Sequence, residues 1–298
     1  MNIVRYASLV VLAAVSVSGC ASGSSVETKK SDKAVVDKAA DACAGVGEKY
    51  PSLKGEEINV GSSPGPAYYD TVDETDPNKV IGLEPDLVAA VAKCAGFTFT
   101  YQKQDFNGLI PALGSGRIDL ITSGMYATPE RAQEVNFVTY MKAAEAAVVQ
   151  SGNPKNVTGL DTMCGTTVAQ QVGTVEVEIA AKASKECVAQ GKPKIKFIDF
   201  TNSNQLTSAL TGKRADIFLT DSGVAAYLAK QFEGKLEKGF DIVSDFKFGI
   251  AVSKDNEDLL NAVYDSLTAL HEEGDLTKVA EQWGFSAEQV IAPEIVTE

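Results

Sequence analysis

The feature that most constrains the fold is an alternation of strand-like and helix-like segments that occurs twice along the chain. In the first half, FTFTYQKQ, FNGLIPALGSG and RIDLITSG have the patterns of strand, helix and strand. After residue 160, the strand-like runs GTTVAQQ, KIKFIDF and ADIFLTD are separated by helix-like segments. Strands that alternate with helices predict α/β architecture with parallel strands. The repetition predicts two α/β lobes.

Two extended stretches, AAEAAVVQ and FKFGIAV, lie between these units and suit the two crossing strands of a hinge. We therefore expect the first part of lobe 1, with an N-terminal helix, at residues 33–147 and lobe 2 at residues 148–246. Residues 247–298 are expected to return to lobe 1 and to end in C-terminal helices.

The N-terminus forms a separate unit. Arg5 precedes an apolar run that is too short to span a bilayer, which is typical of a secretory signal, and we assign residues 1–19 to it. The run ends in VSGC, which resembles the bacterial lipobox and implies a lipid on Cys20. An ordinary signal peptide with an incidental cysteine is the alternative. Residues 20–32 are small and polar, as in a flexible tether.

The four remaining cysteines allow three disulfide pairings. Cys164 opens a strand-like stretch and Cys187 closes the following helix-like stretch. A strand and a helix of these lengths each span roughly 20 Å, so their far ends meet and favour this pair. Cys43 and Cys94 would then form the second bridge. No metal site is expected, because no CxxC occurs and His271 is the only histidine.

The charge balance limits the partners of the protein. The 298 residues carry a net charge of −13, and no basic block is visible. Nucleic acid is therefore not expected as a partner. No cofactor is expected either, because GSGRID at residues 114–119 lacks the third spaced glycine of a dinucleotide fingerprint.

Strand-to-helix junctions at the carboxyl ends of parallel strands are the usual ligand positions in α/β sheets. In ITSGMYATPER, Ser123 and Gly124 end a strand, and Arg131 follows near the start of a helix. The planar guanidinium matches a carboxylate, although an arginine here also suits simple charge balance on a helix surface.

Two further junctions carry suitable residues. VAQQVGTVEVE places Thr174 and Val175 at a helix start, and FLTDSGVAAY places Asp221 between a strand and a helix. Asp221 is either a helix N-cap or the partner of a ligand ammonium group. Together with Arg131 it would suit a zwitterion. Phe106 and one of two adjacent tyrosines, of which we select Tyr69, are expected to cover the apolar part of the ligand, or else to be ordinary core or surface aromatics.

The motifs DFNGLIPAL, SGMYATPER and LTDSGVAAY, within residues 58–284, resemble the extracytoplasmic solute-binding proteins (family 3) of polar amino acid ABC transporters. The resemblance implies a type II periplasmic-binding-protein fold, with two lobes joined by a two-strand hinge that close around an amino acid or an amino-acid-like solute. It also implies a lipid-anchored, extracytoplasmic monomer that delivers its ligand to a permease.

Carried over to this chain, the resemblance assigns a role to each matched position. Arg131 would clamp the α-carboxylate, with help from backbone donors around Gly124 and Tyr126. Thr174 and Val175 of lobe 2 would contact the same carboxylate. Asp221 would receive the α-ammonium group, with Ser123 nearby. The complete predicted ligand-binding set is Arg131, Asp221, Ser123, Gly124, Tyr126, Phe106, Thr174, Val175 and Tyr69.

Two positions depart from the family pattern. Tyr126 stands where the family usually has a small serine or threonine, so its ring would reshape the pocket. Ser63 stands where binders of cationic side chains often place an acid, which argues against lysine, arginine or histidine as the ligand. The sequence therefore predicts amino-acid-like recognition without a particular side chain.

Other functions on the same fold are alternatives. A sensory subunit would present a bound amino acid to a membrane receptor, and the sequence does not distinguish this role from delivery to a permease. Dehydratases and cell-wall lytic enzymes have related lobes. We expect no enzyme activity, because no GxSxG occurs and His271 lies among the surface-like charges of a C-terminal helix.

Overall fold

The computed structural model describes residues 35–38, 43 and 45–298. The signal segment, the tether and Cys20 lie outside the described residues. The strands are β1 Glu57–Ser62, β2 Thr71–Val72, β3 Val80–Ile81, β4 Thr98–Lys103, β5 Leu120–Ile121, β6 Asn136–Lys142, β7 Glu145–Gln150, β8 Thr167–Gln171, β9 Lys196–Phe200, β10 Ile217–Asp221, β11 Leu236–Ile242, β12 Lys247–Val252 and β13 Val290–Val296.

The helices follow the predicted periodic segments. They are α1 at residues 35–38, α2 Val46–Lys49, α3 Leu83–Ala95, α4 Leu109–Gly114, α5 Pro129–Ala132, α6 Val175–Ala189, α7 Ser203–Thr211, α8 Ser222–Gln231, α9 Glu257–Glu272 and α10 Asp275–Gln282. Short 3₁₀ turns occur at Pro51–Leu53, Phe106–Gly108, Leu160–Thr162 and Ala287–Gln289. Among the described residues, no helix combines the length and apolar character needed to cross a membrane.

Lobe 1 is built on a six-stranded sheet with the order β13-β6-β12-β5-β1-β4. β1 pairs in parallel with β4 and β5, whereas β12 and β13 pair antiparallel with their neighbours. Helices α3, α9 and α10 contribute a buried face that includes Leu87, Val91, Leu267 and Val279. Burial of these large apolar side chains stabilises the lobe by roughly 1.5–3 kcal/mol for each aliphatic residue.

Lobe 2 has a five-stranded sheet with the order β11-β7-β10-β8-β9, in which β8 is parallel to β9 and β10. The disulfide Cys164–Cys187 joins the segment before β8 to α6, with its Cα atoms 5.5 Å apart. In lobe 1, Cys43 and Cys94 form the other disulfide, with a Cα separation of 5.4 Å. The structure thus contains both predicted bridges.

The chain crosses between the lobes twice, at residues 143–144 and 243–246, which we call the hinge segments. They run side by side, and the Ala143 N–H donates to the Phe246 carbonyl at 2.8 Å. The predicted boundary after residue 147 lies three residues too late, because Glu145 already pairs with Asp221 in the sheet of lobe 2. The apolar run AAVV belongs to a buried strand of lobe 2, so composition alone does not mark the crossing.

The C-terminal segment differs from the prediction of helices alone. After α10 the chain forms β13, which pairs with β6 at the edge of the lobe 1 sheet. Pro293 lies within this strand, and an edge position tolerates a residue that lacks a backbone N–H. The helix predicted near residues 33–45 is described only in part, with helical residues at 35–38 and a separate helix from Val46.

Candidate functional site

A cleft lies between the two lobes, where the carboxyl ends of β1 and β5 face those of β8 and β10. Its cavity volume is about 110 Å³, and it is partly open to solvent. All nine predicted ligand-binding residues line it. The structure therefore brings together residues that are as far apart in the sequence as Tyr69 and Asp221. Their roles toward a ligand remain predictions.

Arg131 extends from the single turn of α5 into the cleft. Thr128 caps this turn and accepts a hydrogen bond from the Arg131 backbone N–H at 3.3 Å. The Arg131 side chain donates through Nη1 to the Tyr126 carbonyl at 2.9 Å and through Nη2 to the Gly173 carbonyl at 3.0 Å. Its guanidinium carbon is 5.4 Å from the centre of the Phe106 ring. Arg131 therefore links lobe 1 to lobe 2.

The charge of Arg131 is set by two opposing influences. Burial lowers the pKa of the guanidinium, and the nearby carboxylate of Glu176 raises it. Because arginine titrates far above neutral pH, the side chain remains a cation in the cleft.

Asp221 is the helix N-cap that its sequence position suggested, and it also contacts lobe 1. Its Oδ1 caps α8 by accepting hydrogen bonds from the N–H groups of Gly223 and Val224 at 2.7 and 3.3 Å. The same oxygen accepts a hydrogen bond from the Tyr69 hydroxyl at 2.8 Å. The other oxygen, Oδ2, is buried and has no hydrogen-bond partner among the described residues. One oxygen is thus used by the fold, whereas the other has an unused capacity to accept hydrogen bonds.

Tyr69 lines the cleft with its ring, and its hydroxyl forms a hydrogen bond to lobe 2. Its ring packs against Phe248 and Phe285 of lobe 1, with centroid distances of 4.5 and 4.6 Å. Burial, reinforced by the charge of Asp221, raises the pKa of Tyr69 well above its usual value. The phenol therefore stays protonated and donates across the cleft to lobe 2.

The Tyr126 ring occupies the hinge end of the cleft. It stacks on Phe246 of the second hinge segment, with centroids 5.2 Å apart and an interplanar angle of 13°. It also contacts Phe248 edge-on at 4.9 Å. The bulky Tyr126 side chain is therefore packed against the hinge.

The loop before Arg131 is already partly hydrogen-bonded within lobe 1. The Gly124 N–H, predicted as a donor to the ligand, donates to Glu84 at 2.8 Å. The Ser123 hydroxyl accepts from the Ser63 N–H at 2.9 Å. Gly124 has a φ of +55°, and a Cβ atom there would lie 3.5 Å from the Tyr69 ring. These bonds correct the expectation of a free backbone donor at Gly124, because sequence does not reveal that Glu84 lies beneath the loop.

Two buried acids in lobe 1 were not singled out from the sequence. Asp70 lines the cleft and accepts a hydrogen bond from the Ser62 hydroxyl. Glu84 lies beneath it and accepts from Tyr140 at 2.8 Å. Burial raises the pKa of Asp70 to about 7 and that of Glu84 to about 8. Their spacing in the sequence gave no signal that both are buried near the cleft.

Two further acids lie on lobe 2. Glu176 is the second residue of α6 and lines the cleft. Glu145 is the first residue of β7 and is fully buried, directly opposite Asp221 in the antiparallel register. A detectable signal for Glu145 was a single acid inside the apolar run AAEAAVV. His271, in the last turn of α9, is not among the residues that line the cleft.

Similar proteins are binding proteins for small solutes. The model for bacterial extracellular solute-binding proteins, family 3, matches residues 58–286. The arginine-binding protein ArgT of Corynebacterium glutamicum is 31% identical over 208 residues, covering 70% of this chain and 68% of that protein.

Solved structures extend this likeness to three dimensions. An ancestral arginine-binding protein bound to arginine has a TM-score of 0.71 and 30% identity, covering 78% of this chain and 99% of that one. The ancestral amino-acid-binding protein AncCDT-1, a precursor of cyclohexadienyl dehydratase, has a TM-score of 0.67 and 27% identity, covering 80% and 99%.

Proposed function

The chain belongs to the bacterial extracellular solute-binding proteins of family 3, and from that premise we propose that it captures an amino acid for an ABC importer. The predicted type II periplasmic-binding-protein fold, with two α/β lobes, is confirmed by its solved relatives. Proteins of this family act outside the cytoplasm. The ligand, its binding residues and its delivery to a permease belong to our proposal.

The observation that carries the proposal is the pairing of Arg131 with the free oxygen of Asp221 across one cleft. A guanidinium has five N–H donors, and Arg131 uses two of them on protein carbonyls. The remaining donors suit an α-carboxylate. Asp221 Oδ2 is buried without a partner and suits an α-ammonium group. A zwitterion satisfies both charges at once, which neither an anion nor a cation alone would do.

We propose that the lobes close around the ligand, because the expected binding residues are divided between them. Arg131, Phe106 and Tyr69 belong to lobe 1, whereas Asp221 and Thr174 belong to lobe 2. A ligand that bonds to both sets stabilises the arrangement in which the lobes meet. The paired hinge segments at residues 143–144 and 243–246 are the natural pivot. Binding first to one lobe and then closing the other is the mechanism we propose.

Membrane attachment completes the proposed transport role. Cys20 would carry a diacylglycerol, and two acyl chains are what stable anchoring requires. Residues 20–32 would then act as the tether that lets the lobes reach a permease.

We propose a binding role without catalysis. One similar structure, AncCDT-1, is a precursor of a dehydratase, but AncCDT-1 is itself described as an amino-acid-binding protein. This similarity is therefore consistent with a binding role.

A thermal-shift and calorimetric screen tests the proposal. Purified full-length protein is mixed with the standard amino acids and with matched carboxylic acids that lack the ammonium group. A ligand at a hundredfold excess over Kd should stabilise the protein by about 2.7 kcal/mol. We expect amino acids of one class to raise the melting temperature and their deaminated analogues to have no effect.

Asp221→Asn should remove this response. The control is Asp241→Asn, which changes a more exposed carboxylate of lobe 2 that pairs with Lys238. Absence of binding by every amino acid would refute the proposed function. Equal binding of the deaminated analogues would refute the role of Asp221.

A further inference from the structure

Three aromatic residues form a contact between the lobes outside the ligand cleft. The ring of Tyr68, in lobe 1, meets the ring of Tyr227, on α8 of lobe 2, edge to face, with centroids 5.0 Å apart and an interplanar angle of 74°. Trp283 of lobe 1 packs against Tyr68, with centroids 5.9 Å apart. All three are described residues, and none of them is among those that line the cleft. Their contact therefore joins the lobes without contributing to the surface proposed for the ligand.

The lobe 1 side of this contact is held firmly in place. The Tyr68 carbonyl accepts a hydrogen bond from the Leu83 N–H at 2.8 Å, which fixes the loop to the start of α3. Trp283 is 1% exposed, and its Nε1–H donates to Asp86 of the same helix at 2.8 Å. Tyr68 therefore offers lobe 2 a fixed surface, because both its backbone and the ring against which it packs are anchored to α3.

The lobe 2 side of the contact belongs to a helix that begins at the cleft. Asp221, the expected partner of the ligand's ammonium group, caps α8, and Tyr227 lies six residues later on the same helix. At a rise of about 1.5 Å per residue, the two residues are roughly 9 Å apart along the helix axis. A helix this short moves as one rigid element, so a ligand that draws Asp221 toward lobe 1 also brings Tyr227 toward Tyr68.

Partial exposure of the two tyrosines makes their contact reversible. Tyr68 and Tyr227 are both only partly buried, and Tyr227 also borders a groove between the lobes that lies beside the cleft. Separation of the rings therefore exposes only a modest additional apolar surface to water. An edge-to-face aromatic pair shifts an equilibrium by roughly twofold to tenfold. A contact of this strength biases the lobes toward closure and still breaks when they open.

We propose that Tyr68, Tyr227 and Trp283 form an interlobe latch, which sets the affinity of the cleft by stabilising the closed arrangement without contacting the ligand. Tyr68 and Tyr227 are positioning residues, and Trp283 supports Tyr68. The inference rests on the proposed function, because closure is taken to accompany the capture of an amino acid. A residue that acts only through closure changes the affinity of every ligand by the same factor, since all ligands share one closing equilibrium. Loss of a residue that contacts the ligand would instead change the selectivity.

Tyr227→Leu tests the latch, because leucine removes the ring and keeps an apolar side chain that suits a helix. Full-length protein is dialysed to remove any co-purified ligand, and its binding of the standard amino acids is measured by titration calorimetry. We expect the affinities for all bound amino acids to fall by one common factor of about threefold to tenfold, so that their ratios stay constant. Tyr227→Phe keeps the ring and should bind within about twofold of the native protein.

A double-mutant cycle isolates the pair of tyrosine rings, because Tyr68 also packs against Trp283. Tyr68→Leu alone should weaken binding at least as much as Tyr227→Leu does. The double variant should lose less affinity than the product of the two single losses, by about twofold or more, since the second substitution has no ring pair left to break. Strictly multiplicative losses would overturn the latch.

Phe197→Leu is the matched control for the loss of an aromatic ring. Phe197 lies on β9 at the edge of the lobe 2 sheet, is 38% exposed and is not among the residues that line the cleft. This variant should leave every affinity unchanged.

Lobe closure is also measured without a ligand. Direct contacts other than the latch already join the lobes, from Arg131 to the Gly173 carbonyl at 3.0 Å and from Tyr69 to Asp221 at 2.8 Å. These contacts favour a closed fraction before any ligand binds, and the latch should increase it. Small-angle X-ray scattering of the dialysed protein should therefore give a larger mean radius of gyration for Tyr227→Leu than for the native protein.

The outcomes distinguish the two proposals. An unchanged affinity of Tyr227→Leu, or losses that differ between ligands by more than about twofold, would overturn the latch while leaving amino acid capture intact. Failure of every amino acid to bind would instead refute the proposed function. In that case equal radii of gyration for the native protein and Tyr227→Leu would overturn the latch as well, and a larger radius for the variant would support it.

Discussion

The hydrogen bond from Tyr69 to Asp221 makes a specific prediction about lobe closure. It spans 2.8 Å between a lobe 1 phenol and a lobe 2 carboxylate, and both residues are 5% exposed. Tyr69→Phe removes one oxygen atom and leaves the ring between Phe248 and Phe285. The substitution should therefore affect the contact between the lobes far more than the core of lobe 1.

The magnitude follows from the surroundings of Asp221. A hydrogen bond to a charged group contributes about 1.5–3 kcal/mol. We take the lower end, because Oδ1 keeps its bonds to the Gly223 and Val224 N–H groups in the variant. About 1.5 kcal/mol corresponds to roughly tenfold in the closing equilibrium and hence in ligand affinity. Loss of this donor also raises the pKa of Asp221, so the affinity of Tyr69→Phe should fall further at acidic pH.

Calorimetric titration with the best amino acid ligand measures the effect. Tyr50→Phe is the matched control, because the Tyr50 hydroxyl donates to Asp265 at 2.9 Å entirely within lobe 1. That variant should bind ligand like the native protein, although its free energy of unfolding is also expected to fall. An affinity of Tyr69→Phe within twofold of the native value would show that the interlobe bond has no part in closure.

Three further predictions concern the site, a disulfide and a buried acid. Arg131→Ala should weaken amino acid binding by at least about a hundredfold in calorimetry, because it removes a charged clamp, while the melting temperature without ligand stays within a few degrees. Replacing Cys164 and Cys187 together by serine should lower the free energy of unfolding by about 2–4 kcal/mol in urea titrations, and an unchanged value would refute a stabilising bridge. Burial raises the pKa of Glu84 to about 8, above its value in the unfolded chain, so its contribution to stability falls as pH rises toward 8. Glu84→Gln should therefore lose less stability than the native protein between about pH 5 and pH 8, and equal losses would contradict the assignment.

Much of the fold was predictable because its signals are local. Strands β4, β8 and β10 and helices α3 and α9 all have clear periodic patterns, and their alternation implies parallel sheets. Strand β13 was missed because an edge strand that contains Pro293 has a weak pattern of its own. The crossing at residues 143–144 was misplaced because the buried strand that follows has the same apolar composition as a connecting segment.

Some features of the candidate site were also predictable from local sequence, and others were not. Arg131 and Asp221 were predictable because each lies at a junction between a strand and a helix, where α/β sheets bind ligands. The partner of the Gly124 N–H was not predictable, because Glu84 reaches it from a helix forty residues earlier in the chain. The direction of the Tyr126 ring depends on Phe246, which arrives through the second hinge segment.

The sequence by itself determined the kinds of element, their order and the residues at their junctions, because hydrophobic periodicity and turn chemistry act over a few residues. Only the tertiary structure decided which side chains share a cleft. Glu145 stands out in the sequence only as a single acid in an apolar run, and it becomes a buried carboxylate opposite Asp221 when β7 pairs with β10. Burial and long-range pairing set its environment, and neither is encoded within any short stretch of chain.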